Sequence, residues 1–238
     1  MEIEYDGTNY SGWQYQPNKK TIQGELEKTL SQLYQREIKV IGASRTDAGV
    51  SAQGQIANFH IASLLATRYS LKAIQHSLNA VLPNDIYVKR LKIVPERFHA
   101  RFLSKGKIYQ YQILIRQAPL RQRFAWFVPY KLNLLRMRKA TRLFLKQKDY
   151  SSFCKVSDKN GIVAVKSVSI RKRKDEILIS IKANRFLYKM VRRIIGALVE
   201  VGRNHRTEED IKNSLAGRET RTLICAPAQG LKLMKVKY

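Results

Sequence analysis

Alternating strand and helix patterns predict an α+β protein of two halves sharing a central mixed, mainly antiparallel sheet flanked by helices. Three observations carry this. Short stretches of every-other-residue apolar pattern recur along the chain, amphipathic helical stretches fall between them, and the polar, turn-like Ser104-Lys105-Gly106-Lys107 separates one such series from the next. The seam divides the chain into an N-terminal α+β domain over 1–103 and a C-terminal α+β domain over 104–238. A chain of 238 residues with 44% apolar side chains is long enough to bury a substantial core.

The elements follow in order. Ile3 and Tyr5 alternate with Glu2 and Glu4 before the turn Asp6-Gly7, the pattern of a strand end. Thr21 can cap a helix whose Ile22, Leu26, Leu30 and Leu33 share one face. A short strand over 38–41 enters a glycine-bearing loop over 42–52, and a strand over 55–61 leaves it. A helix over 70–78 and a strand over 86–93 complete the first series. In the second, Tyr109, Tyr111, Ile113 and Ile115 alternate in a strand, and Met137, Ala140 and Phe144 share a face of a basic helix. Ile177, Ile179 and Ile181 alternate in another strand. Leu187, Met190, Val191, Ile194, Ile195 and Leu198 form a buried helical stripe, with Lys189, Arg192 and Arg193 off it. A last helix begins at Thr207, carries Glu208, Glu209 and Asp210 in its positive first turn, and ends at Gly217.

Composition narrows the partner. The 45 Lys and Arg against 18 Asp and Glu leave a net charge of +27, which repels itself in a compact fold and calls for a polyanion. Clusters such as Arg121 to Arg123, Arg171 to Lys174 and Lys189 to Arg193 sit inside folded patterns, so a structured surface is expected in place of a flexible arm. No apolar run approaches the roughly 18 residues of a membrane span, and Met1 to Tyr5 lacks a secretory pattern. Two distant cysteines, Cys154 and Cys225, suit a reducing compartment, the cytoplasm or an organelle. The four histidines have no metal spacing, and no phosphate-binding loop, dinucleotide fingerprint or nucleophile elbow occurs, so neither metal nor cofactor is expected.

The segment from Gly42 to Gln55, GASRTDAGVSAQGQ, holds the candidate chemistry. Its glycines permit sharp turns and close approach of the backbone to a ligand. A guanidinium at Arg45 and a carboxylate at Asp47 lie two residues apart in a loop between strands. Taken alone, Asp-Ala-Gly is an ordinary turn and Arg45 an ordinary phosphate contact.

The same segment resembles GAGRTDAGVHA, the signature of TruA-type tRNA pseudouridine synthases. The likeness runs along nearly the whole chain: Ile3 to Trp13 (IEYDGTNYSGW), Ser77 to Pro83 with Asp85-Ile86, Phe98 to Phe102 (FHARF), Lys107 to Tyr111 (KIYQY), Ala183 to Arg192 (ANRFLYKMVR) with Ile195-Gly196, and Ala226 to Ala228 with Gly230-Leu231. Each stretch is weak alone; their order and spacing make them specific together.

The resemblance implies a pseudouridine synthase fold with the active-site cleft between the two subdomains, a homodimer, and isomerisation of uridines at positions 38, 39 and/or 40 of the tRNA anticodon arm. It implies that Asp47 is the nucleophile, Arg192 its pairing arginine, and Arg45 the residue that helps displace the base. Tyr109 is implied to pack on the uracil. The stretch Phe98, His99, Ala100, Arg101 and Phe102 is implied to contact RNA, with Arg101 and His99 on phosphate or ribose and the phenylalanines anchoring the loop. A second RNA-contacting loop is implied at Ser157, Asp158, Lys159, Asn160 and Gly161. The chemistry suits these residue types: a nucleophilic carboxylate must be ionised, a nearby guanidinium favours that form, and the target base must be flipped from its stack. A rival reading from another class is a non-catalytic tRNA- or rRNA-binding chaperone derived from such an enzyme.

Departures from the family pattern are Ser44 for a glycine, Ser51 for a histidine, and Lys166 for an arginine, which forfeits bidentate geometry. The first strand is expected to be cut short, since family members have residues before the counterpart of Ile3.

Overall fold

The computed structural model describes residues 1–61, 69–154, 160–218 and 222–238. Nine strands and six helices among these residues make the protein α+β with mixed strand pairing. They form two compact units, Met1–Lys105 with Leu233–Tyr238, and Gly106–Lys232.

In the first unit, β1 (Glu2–Tyr5) pairs antiparallel with both β3 (Ser51–Asn58) and β4 (Ile86–Arg90), and β2 (Ile41–Gly42) pairs antiparallel with β3. β9 (Leu231–Lys237) lies beside β3. α1 (Ile22–Tyr34) and α2 (Leu71–Val81) pack on one another, and α2 packs on β4. Thr21 caps α1 by accepting a hydrogen bond from the Gly24 amide at 3.2 Å. Ile22, Leu26 and Leu30 are buried as their spacing predicts, but Leu33, in the last turn, is 40% exposed. Periodicity finds the stripe; it does not say how far along the helix the covering layer reaches. The strand expected over 38–41 is mostly irregular, although Ile38 and Val40 are buried, and the strands expected to end at 61 and 93 stop at Asn58 and Arg90.

In the second unit, β5 (Gly106–Leu114), β8 (Glu176–Ala183) and β7 (Val165–Arg173) form an antiparallel sheet, with β6 (Trp126–Phe127) parallel to β5. The inward residues are mostly those the alternation predicts: Tyr109, Tyr111 and Ile113 from β5, and Ile177, Ile179 and Ile181 from β8, whereas Ile115 lies just past the end of β5 and is only half-buried. A short helix, α3 (Pro119–Gln122), follows β5. α4 (Leu134–Lys146) packs on β7, on α5 (Met190–Gly202) and on α6 (Glu208–Leu215). Burial of each such apolar side chain contributes about 1.5–3 kcal/mol. α5 starts at Met190, not Leu187, because Lys189 takes a left-handed φ of 61°; Leu187 is buried ahead of the helix. α6 has a full capping box: the Asp210 amide donates to Thr207 Oγ1 at 3.1 Å and the Thr207 amide to Asp210 Oδ2 at 2.6 Å.

The sequence seam at 103/104 lies two residues from the division at Lys105, yet the last six residues fold with the first unit. There the Lys105 amide donates to the Lys237 carbonyl at 2.7 Å, and Tyr238 donates its hydroxyl to the Ala100 carbonyl at 2.7 Å. These long-range bonds have no local sequence signal.

Candidate active site

The loop that bears Asp47 is short, polar and held from several sides. At its entrance, Gln55 is wholly buried on β3 and clamps the Ser44 backbone: Nε2 donates to the Ser44 carbonyl at 2.7 Å and Oε1 accepts the Ser44 amide at 3.2 Å. At its exit, the Gly7 amide donates to Ser51 Oγ at 3.1 Å. Ser51 thus binds the opening segment where the family has a histidine, and Ser44 is fixed through backbone groups that any residue supplies.

Between those ends, the opening segment forms the bed of the loop. The Trp13 amide donates to the Thr46 carbonyl at 3.1 Å, and the Gly49 amide to the Tyr10 carbonyl at 3.3 Å. Tyr5 hydroxyl and Thr46 Oγ1 share a hydrogen bond of 2.8 Å in the buried interior. Gly12, at φ 95°, lies so close that an added Cβ would sit 2.7 Å from the Thr46 carbonyl oxygen. Tyr10 is itself anchored by a hydrogen bond to Asp85 Oδ1. Thr46 is buried, while its neighbours Arg45 and Asp47 are exposed and half-buried respectively. The loop therefore holds Thr46 down between an exposed Arg45 and a half-buried Asp47. The Val50 amide closes the turn on the Asp47 carbonyl at 3.1 Å.

In the second unit, Tyr109 is buried on β5 and meets Phe186 edge to face, ring centres 5.1 Å apart. Arg192 lies in the first turn of α5 and is partly exposed. Its Nε donates to the Ala226 carbonyl at 2.7 Å, and the Ala226 amide returns a bond to the Arg192 carbonyl at 3.1 Å. The next carbonyl, that of Pro227, accepts the Tyr111 hydroxyl at 2.8 Å. Gly230 lies under the Tyr111 ring, where a Cβ would come within 2.5 Å. Burial raises the Tyr111 pKa, so the hydroxyl remains a donor. The segment from Ala226 to Gly230 thus fixes the stem of Arg192, with Tyr111 as its peg.

Arg45 and Asp47 share one loop. The Phe98–Phe102 turn is tied elsewhere in the same unit, with the Ala100 amide donating to Asn58 Oδ1 at 2.8 Å. Phe98 packs on Tyr238 at 5.1 Å, as an anchor should. Phe102 does not: it is 75% exposed, lying against His99 at 4.2 Å with the Arg101 guanidinium 6.0 Å away. His99 Nδ1 accepts the Arg101 and Phe102 amides at 3.2 Å each, so this nitrogen shapes the turn. Ser157, Asp158 and Lys159 lie outside the described residues. Asn160 accepts the Ile162 amide at 2.9 Å, and the Gly161 carbonyl accepts the Tyr150 amide at 2.9 Å. Lys166 is exposed on β7.

Sequence reasoning missed Gln55 and the Tyr111–Pro227 peg. A glutamine at an inward-facing strand position was the available signal for the first; the second joins residues 116 apart and left none. Among the described residues, no group of three or more His, Cys, Asp and Glu could hold a metal ion, and no helix is long and apolar enough to cross a membrane.

The tRNA pseudouridine synthase family model matches residues 1–103 and 140–238. The chain is 43% identical over 242 residues to tRNA pseudouridine synthase A of Thermosipho melanesiensis, covering 100% of this chain and 98% of that protein. It is 41% identical over 242 residues to the protein of that name from Thermoanaerobacter sp. strain X514, covering 99% and 97%. It is 38% identical to tRNA pseudouridine synthase A 2 of Clostridium tetani over 245 residues, 100% of this chain and 97% of that one. With the signature loop seated on the opening segment that accompanies it, and likeness extending over the full length, this chain belongs to the tRNA pseudouridine synthase family.

Proposed function

We propose that this enzyme isomerises uridine to pseudouridine at one or more of positions 38, 39 and 40 of the tRNA anticodon arm, with Asp47 as the nucleophile. The observation that carries the proposal is the Asp47 loop, whose backbone is pinned at Ser44, Thr46, Gly49 and the Gly7–Ser51 contact around a half-buried Asp47. A nucleophile held this way loses little freedom on meeting its substrate.

The reaction breaks the N1–C1′ bond, turns the uracil and joins C5 to C1′; the C5 proton leaves and N1 gains one. It is redox-neutral and needs an ionised carboxylate. Arg192 supplies the countercharge that favours this form, its stem being set by the Ala226 carbonyl. Arg45 helps displace the base, and Tyr109 packs on the uracil once it has left its stack. Phe98 to Phe102 and Ser157 to Gly161 contact the RNA. The enzyme acts as a homodimer in the cytoplasm, where light scattering should give twice the chain mass of 27.6 kDa.

Unmodified tRNA transcripts carrying uridine at only one of the three positions test the assignment. Carbodiimide-block primer extension should reveal pseudouridine at one or more of positions 38, 39 and 40. Product elsewhere, with none in the anticodon arm, would overturn it; tRNA binding without any product would favour the chaperone.

A further inference from the structure

We propose that the outward face of the β5–β8–β7 sheet is a docking surface for the phosphate backbone of the RNA substrate. The proposal rests on the chain acting on tRNA, and extends the contact surface beyond the loops that the family resemblance assigns.

Strand alternation builds this face. While Ile177, Ile179 and Ile181 point inward, the side chains between them point away from the helices and are half-buried on β8 and β5 and exposed on β7. Register sets them in rows: Ser167 with Lys182, Ser169 with Ser180 and Gln110, Arg171 with Leu178, and Arg173 with Glu176. A hollow of about 280 Å³ lies over these rows. Successive outward residues on β7 are about 6.7 Å apart at the usual strand rise, so hydroxyls at one end give way to two guanidiniums at the other.

The chemistry selects a polyanion. Glu176, a carboxylate on this face, is engaged by Gln112 Nε2 at 2.7 Å and by Arg121. Among the described residues, Arg171, Arg173 and Lys182 have no ion-pair partner. Guanidiniums and serine hydroxyls suit phosphate oxygens, and an arginine fork binds them in two places. The rows contain no aromatic side chain on which a base could stack. The surface therefore reads the backbone and is indifferent to sequence.

The test compares two triple variants of the full chain. Arg171→Gln/Arg173→Gln/Lys182→Gln removes the cations of this face. Arg138→Gln/Lys139→Gln/Arg142→Gln removes as much charge from exposed positions on α4. Affinity for unmodified tRNA is measured from 50 to 400 mM salt. Each lost phosphate contact lowers the slope of log affinity against log salt by about 0.7–0.9. The sheet variant should lose about 2 in slope and at least roughly tenfold in affinity at low salt, with the α4 variant close to wild type. An unchanged slope in the sheet variant, or an equal loss in both, overturns the proposal. If the triple variant misfolds, Arg173→Gln alone, at the exposed strand end, should lower the slope by about 0.8, and no change refutes the surface. Pseudouridine formation by the wild type is scored separately. Product with unchanged slopes sinks only the surface, whereas no product with a face-specific slope loss sinks only the enzymatic assignment.

Discussion

Gly196→Ala sets two well-measured effects against each other. Gly196 lies within α5, one turn after Arg192, and an added Cβ would stand 2.0 Å from the Ile224 carbonyl oxygen and 2.8 Å from its carbonyl carbon. Helix propensity alone favours alanine by about 1 kcal/mol. Relieving the overlap requires helix and segment to part by roughly 1 Å, and overpacking a tight interface costs about 1–3 kcal/mol, occasionally more. That movement also strains the Ala226 bonds to the Arg192 carbonyl and to its Nε, together worth about 2–4 kcal/mol if both are lost. Steric overlap wins, and urea unfolding should show a net loss of about 2–4 kcal/mol, a large part of the 5–15 typical of a domain. The folded fraction should also turn over more slowly, because the stem of Arg192 moves with Ala226. A variant that gains the helix-propensity increment would refute the close approach and the positioning role drawn from it.

Three further outcomes follow from the same geometry. Tyr111→Phe leaves the Pro227 carbonyl without its donor and should cost about 1–2 kcal/mol in urea unfolding; unaltered stability would remove the peg. Thr207→Ala breaks the capping box of α6 and should lower stability by about 1 kcal/mol, with turnover per folded molecule unaffected; a change below about 0.3 kcal/mol would contradict the cap. Tyr109→Leu should abolish most pseudouridine formation while Tyr109→Phe retains tRNA binding; full activity in both would reduce Tyr109 to a packing residue.

Much of the architecture was legible because alternation and 3.6-residue periodicity are local. Ile177 to Ile181, the α5 stripe and the Thr207 cap could each be read within a dozen residues. What escaped depends on distant partners. Leu33 has the right phase for burial, and its exposure is decided by what lies opposite. Phe102 has an anchor's composition, yet Phe98 alone meets Tyr238, from the far end of the chain. For the site, Asp-Ala-Gly is chemically an ordinary turn, so only the family likeness drew attention to Asp47. The structure supplies the physical reason that the opening segment and the loop occur together: Tyr5, Gly7, Tyr10, Gly12 and Trp13 form its bed.

The central claim, that Asp47 attacks the substrate, is tested most directly by Asp47→Asn. This change keeps the side chain's shape but removes its charge and nucleophilicity. The variant is first shown to be folded and to bind tRNA, which it should do because phosphate contacts elsewhere carry most of the affinity. Both proteins are then incubated with unmodified tRNA, and pseudouridine is counted by carbodiimide-block primer extension. The account predicts product with the wild type and none with Asp47→Asn at any enzyme concentration or time. Pseudouridine formed by the folded variant would contradict it.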